Sequence, residues 1–243
     1  MYFCGLLIKG NNKNSNKTAK EKEILKEQER QERVNETVSK TDQFFRENKK
    51  TIYTILLTLL VLGLAFVAWY KFIYQPKCQE ATAQMFPAEA NFRNGEYDLA
   101  LNGDGNVLGF KDILDQYGNK AGKAVNFYAG VSELQLGNFQ EAIDFLKKYK
   151  GKDHILSARA LACLGDAYTG LEDYNTAIGY FEKAADLSDN VYSDAYLLKA
   201  GVTYEELGNN DKALACYNRI KNDYPQSIEG YDIDKYIARI ESK

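Results

Sequence analysis

Residues 51–70, TIYTILLTLLVLGLAFVAWY, carry no charged side chain over 20 consecutive positions. As a helix rising about 1.5 Å per residue, such a run covers roughly 30 Å, the thickness of a bilayer's hydrocarbon core. A buried core helix rarely stays uncharged for so long. Tyr53 at one end and Trp69, Tyr70 and Tyr74 at the other sit where amphipathic rings favour the headgroup layer. The sequence therefore predicts one membrane-spanning helix over 51–74. A cleaved signal peptide does not fit, because the run is longer than an h-region, begins after fifty residues and lacks a small-x-small site before Lys71. The short apolar start MYFCGLLI is too brief to span, and no small residue precedes Cys4 as a lipoprotein site requires.

Charge sets the expected orientation. The twenty residues before the run contain Arg33, Lys40, Arg46, Lys49 and Lys50, and the twenty after it contain Lys71 and Lys77. Basic residues are retained on the cytoplasmic side, so five against two places the N-terminus there. In a bacterium the chain would then sit in the inner membrane with its C-terminal portion in the periplasm. Residues 1–50 hold 12 Lys and Arg against 8 Asp and Glu, whereas residues 51–243 hold 19 against 26. That acidic portion argues against nucleic acid, whose phosphates need a clustered basic surface.

Ahead of the span, 1–17 reads as a disordered tail and 18–50 as a charged juxtamembrane helix, rich in Glu, Lys, Gln and Arg. Ile24, Gln31, Val38 and Phe45 recur every seven residues. Val34, Val38, Thr41 and Phe45 form a thin apolar stripe suited to a partner helix or to lipid headgroups. The alternative is an ordinary solvated face.

Beyond a linker at 75–80, one pattern recurs through 81–243. A helix carries Gly and, three residues later, Tyr; after a turn, a second helix opens with an aromatic and an Ala. It is clearest in LACLGDAYTGLEDYNTAIGYFEKAADLSDN, with Gly165 and Tyr168 on the first helix and Tyr174, Ala177, Phe181 and Ala184 on the second. A later copy carries Gly201, Tyr204, Gly208, Ala213, Tyr217, Ile220 and Pro225. An earlier one carries Gly130, Gly137, Phe139, Ala142 and Leu146. The turn positions Gly137, Glu172 and Gly208 are 35 and 36 residues apart. Eighteen Tyr, twelve Phe, three Pro and no alternating β-branched runs also favour an all-α fold.

A spacing near 34 with GNFQEAI, EDYNTAI and GNNDKAL at the turns resembles the tetratricopeptide repeat family. The departures are Glu172 in place of Gly, Asn210 in place of an aromatic, and Glu133 in place of Tyr. The resemblance implies a right-handed solenoid of about four helical hairpins in which Gly130, Gly165 and Gly201 allow close helix approach. Ala142, Ala177 and Ala213 do the same on the second helices, with Tyr168, Phe181, Tyr204 and Tyr217 filling the space between. A degenerate first repeat starts near Ala81 with GEYDLA at its turn, but Gly95 to Gly137 is 42 residues, about eight too many. NGDGNVLG at 102–109 accounts for the excess as a loop before a helix resumes at 110–117. Ile233, Tyr236, Ile237 and Ile240 predict a C-terminal capping helix.

Candidate chemistry is sparse. Asn102, Asp104 and Asn106 alternate like calcium ligands, with Asp112 and Asp115 nearby, but Val107 and Ile113 stand where a calcium loop wants Gly and Glu. An Asn/Asp/Gly turn is the competing reading. His154 is the sole histidine and has no Ser or Cys partner at suggestive spacing. Cys4, Cys78, Cys163 and Cys216 form no paired motif, and Cys163 and Cys216 lie in apolar helical pattern as small buried hydrophobes. No catalytic residues, metal or cofactor are expected.

The resemblance also implies a protein-binding concave face on the first helices, here offering Phe127, Val131, Arg159, Asp166, Leu198, Val202 and Glu205. The Lys and Asn that grip chaperone C-termini in some repeats are missing from these places. The order of basic tail, uncleaved span and repeats is similar to YfgM-like ancillary subunits of the bacterial Sec translocon. That implies translocon subunits, a periplasmic chaperone or secretory chains as partners. Two alternatives are an organelle import receptor with cytosolic repeats, which needs the opposite orientation, and a lipid- or glycan-binding module using the 102–106 loop.

Overall fold

The computed structural model describes residues 26–27, 30–39, 43–187 and 192–242. The expected disordered tail at 1–17, Cys4, Ile24, Lys40 and Thr41 lie outside them. Among the described residues every regular element is a helix. The chain divides into two compact units at Trp69/Tyr70.

In the first unit, helical stretches at 30–39 and 43–47 precede α1, Lys49–Trp69. Leu, Val, Ile and Phe dominate α1, and none of its residues is buried within the protein. It holds the one described stretch long and apolar enough to cross a membrane. Thr54 and Thr58 satisfy their hydroxyls within the helix by donating to the carbonyls of Thr51 and Thr54.

The second unit opens with a π-helical turn, Tyr70–Tyr74, followed by α2 (Gln75–Arg93), α3 (Tyr97–Asn102) and α4 (Phe110–Tyr117). Then come α5 (Ala124–Gln135) with α6 (Phe139–Lys148), α7 (His154–Gly170) with α8 (Tyr174–Leu187), and α9 (Ser193–Glu206) with α10 (Asn210–Asp223). Helix α11, Ile228–Glu241, packs on α10. Sequential helices pack on one another along the unit, and the core runs through it in three consecutive clusters, as in a solenoid.

The hairpins close because their first helices carry glycine at the crossing. A Cβ built on Gly165 would lie 2.4 Å from the Phe181 ring, on Gly201 2.3 Å from Tyr217, and on Gly130 2.7 Å from Leu146. Ala142, Ala177 and Ala213 have no exposed surface, so the second helices meet the first through small residues. Phe181 and Tyr217 fill the resulting space, each side chain of this size contributing roughly 1.5–3 kcal/mol on burial.

Four turns repeat one geometry. Gly95, Gly137, Glu172 and Gly208 all have positive φ, and each N–H donates to the carbonyl three residues back. The next N–H donates five back, as from Asn138 to Glu133 and from Asp173 to Tyr168, which caps the helix end. Glu172 takes this left-handed conformation at φ 61° although it has a side chain.

The additional residues after Gly95 form a loop at 103–109 and then α4. Phe110 is fully buried and stacks on Tyr128 at 5.5 Å, which anchors α4 to α5.

Candidate functional site

The inner faces of α5, α7 and α9 line a groove of about 460 Å³. Val131 and Leu134 come from α5, Ala162 and Cys163 from α7, and Tyr196 from α9; together they make an apolar floor. Gln135, Arg159, Asp166, Tyr192 and Lys199 supply the polar rim. Lys199 Nζ donates to Asp166 Oδ1 at 2.5 Å, so these two charges neutralise each other. Arg159 is exposed and pairs with no carboxylate among the described residues, leaving the groove with one uncompensated positive charge.

Cys163 is a floor residue. Burial, with the Asp166 carboxylate second, pushes its thiol up to about 12. It is a protonated apolar surface at physiological pH, not a nucleophile. Burial likewise raises the Tyr196 phenol, which stays a neutral hydrogen-bonding group.

Of the residues read from the sequence as a binding face, Val131, Arg159 and Asp166 lie together in this groove. Phe127 is buried in the core, its ring 5.9 Å from Tyr149 and 5.7 Å from Tyr128. Leu198 is half-buried against the C-terminal core cluster. Val202 is exposed outside the groove lining. Glu205 Oε1 accepts from Tyr217 Oη at 2.6 Å and from Arg239 Nη2 at 2.5 Å, which ties α9 to the final helix. The groove is completed instead by Tyr192, just ahead of α9, and by Tyr196 and Lys199 on it, spaced i, i+4 and i+7. The sequence signal was present: this face is rotated by about one residue from the Leu198–Val202–Glu205 face.

The packing residues occupy the hairpin interiors. Tyr168 stacks on Tyr180 at 5.4 Å and its hydroxyl accepts from Lys147 Nζ at 2.8 Å; Tyr204 Oη donates to Glu182 at 2.7 Å.

At the loop, Asp104 Oδ1 accepts the backbone N–H groups of Asn106 and Val107 at 2.9 and 2.8 Å. The Val107 bond, then the Asn106 bond, hold its carboxyl below the usual range. Asn102 Nδ2 donates to Asp98 at 2.8 Å. Asp104 Oδ1 and Asp98 Oδ1 are thus engaged within the turn, and no group of three acidic, His or Cys side chains among the described residues is placed to hold a metal. His154 is the first residue of α7, beside Asp153, whose carboxylate caps the helix by accepting from Leu156 N.

Comparison with known proteins places these helix pairs. Family models described as tetratricopeptide repeat match residues 158–191, which span α7 and α8, and 195–227, which span α9 and α10. No curated protein matches the sequence. Two solved structures of MamA are similar in fold. One matches with a TM-score of 0.51 at 24% identity, over 64% of this chain and 84% of that one. The other has a TM-score of 0.53 at 24% identity, over 67% and 82%. With their glycine-crossed hairpins and repeated caps, residues 158–227 carry tetratricopeptide repeats.

Proposed function

We propose that this protein is a membrane-anchored scaffold that binds an extended protein segment in the groove between α5, α7 and α9. The observation that carries the reading is the groove itself. An apolar floor beside Arg159, which pairs with no carboxylate among the described residues, suits an apolar or aromatic side chain followed by a carboxylate, and Gln135 can serve the peptide backbone. Repeat solenoids use such inner surfaces for protein recognition, and the chemistry here is that of binding.

The anchor is α1, with the N-terminus in the cytoplasm and the repeats outside it, as the five-to-two basic asymmetry supports. The order of tail, span and repeats supports a role beside the bacterial Sec translocon. There the groove would hold secretory chains, a periplasmic chaperone or translocon subunits. Fold analogy is the warrant for that last step.

The test is site-specific photo-crosslinking in intact cells from Gln135 or Tyr196 in the groove, and from exposed Lys183 on the second-helix face. The groove positions should capture a defined partner that the Lys183 position does not, and Arg159→Glu should reduce capture at least tenfold. Equal capture from both faces, insensitive to Arg159→Glu, overturns the groove assignment. Labelling of Cys78 by an impermeant maleimide tests the orientation, since Cys78 should react from outside the cell membrane.

A further inference from the structure

We propose that the helical turn ahead of α1 binds the headgroup of an anionic phospholipid, a reading that rests on α1 crossing the bilayer. The side chains of Phe45, Arg46, Lys49, Ile52 and Tyr53 line an open surface recess of about 320 Å³. On a helix turning about 100° per residue, Phe45, Lys49 and Tyr53 follow one line, with Arg46 and Lys50 on one flank and Ile52 on the other. Lys49 Nζ stands 5.9 Å from the centre of the Tyr53 ring. Neither Lys49 nor Lys50 is paired with a carboxylate among the described residues. Between positions 45 and 53 the one acid is Glu47, which lies roughly 160° from the line on such a helix. It accepts instead from Gln43 Nε2 at 2.9 Å.

The recess straddles the point where the chain turns from polar to apolar. Arg46 and Lys49 lie just before the uncharged run, and Ile52 and Tyr53 lie in its first turn. A bilayer phosphate layer occupies that depth when the run is in hydrocarbon. Phe44 and Phe45 are 58% and 54% exposed in the protein alone, a cost in water that the acyl boundary removes. The phosphate oxygens accept from the guanidinium and ammonium groups, the glycerol backbone lies against Tyr53 and Ile52, and the Phe45 ring closes the far side. A zwitterionic headgroup brings its own cation into this basic recess, so charge complementarity selects a lipid with net negative charge.

Quenching by brominated lipids tests the assignment on the full chain. Tyr53→Trp with Trp69→Phe leaves one tryptophan in the chain, at the recess, and keeps an aromatic ring there. In vesicles pairing brominated phosphatidylglycerol with plain phosphatidylcholine, and the reverse, relative quenching gives the lipid preference at that site. Phosphatidylglycerol should be preferred roughly fivefold. Arg46→Gln with Lys49→Gln should bring the ratio near one, while Arg33→Gln, farther along the tail, should leave it. Equal quenching in the parent chain, a ratio unmoved by the double substitution, or an equal loss with Arg33→Gln overturns the site while leaving the span intact. Quenching by neither lipid overturns the span, and the site with it. Quenching by brominated phosphatidylcholine confirms in every variant that the chain is inserted.

Discussion

Lys111 of the inserted helix reaches Glu133 of α5: its Nζ stands 2.7 Å from Oε1 of a carboxylate with no exposed surface. The other oxygen, Oε2, accepts from Asn138 Nδ2 at 2.8 Å. Oε1 is met by the ammonium as an ion pair and takes no further hydrogen bond. The residue that departs from the repeat pattern is therefore matched by a residue from the segment that departs from the repeat length.

Removing the ammonium leaves a buried charge. Lys111→Met should destabilise the fold by about 2–3 kcal/mol, below the full value for a buried pair because Lys111 is itself partly exposed. In a Glu133→Gln background the same change should cost much less, so a double-mutant cycle by urea denaturation reads the coupling. Equal costs in both backgrounds would show that the pair is incidental.

At Glu172 a side chain occupies the left-handed position that glycine fills in the three equivalent turns. Glu172→Gly relieves that strain but adds freedom to the unfolded chain, so the net gain is about 0.5–1 kcal/mol. A rise of a few degrees in Tm is expected. A lower Tm would mean that the Glu172 side chain stabilises its turn by more than the strain costs.

How far the sequence could be read follows from these residues. Turn and crossing positions were legible because glycine, alanine and aromatics recur at fixed spacing, each with a steric reason. Helix resumption at Phe110 was legible because the loop ahead of it is rich in Asn, Asp and Gly. What spacing could not reveal was which face of α9 turns inward. Leu198, Val202 and Glu205 share one stripe and Tyr192, Tyr196 and Lys199 the next; packing of α11 on α10, with Arg239 drawn to Glu205, takes up part of the first. The partner of Glu133 was equally hidden, because Lys111 is 22 positions away in a segment that follows no repeat.

Two glycines in one hairpin should respond oppositely to alanine. A methyl at Gly165 meets the Phe181 ring at 2.4 Å, whereas Gly179, within α8, has nothing within 4 Å of the same position. Gly165→Ala should cost about 1–3 kcal/mol through overpacking. Gly179→Ala should add about 0.5–1 kcal/mol by restricting the unfolded chain. Thermal unfolding of the two variants checks both signs. The same sign for both would place the helix crossing elsewhere.

The buried thiols make stability fall with alkalinity. Burial pushes Cys163 up to about 12 and Cys216 up to about 11, against about 8.5 for a thiol in an unfolded chain. Burial also raises the Tyr204 and Tyr217 phenols, each helped by the carboxylate that accepts from it. Between the unfolded and folded values the native state holds more protons than the unfolded state, so stability declines as pH rises. The thiol contribution is complete below about pH 8 and is lost progressively above it. Urea midpoints of the purified chain should therefore drop steadily from pH 8 to pH 10.5, and Cys163→Ala should make that drop shallower. At pH 8 a thiol reagent should modify Cys78 in the folded protein and reach Cys163 and Cys216 only after denaturant is added. Rapid native modification of Cys163 would show that the groove floor opens to solvent.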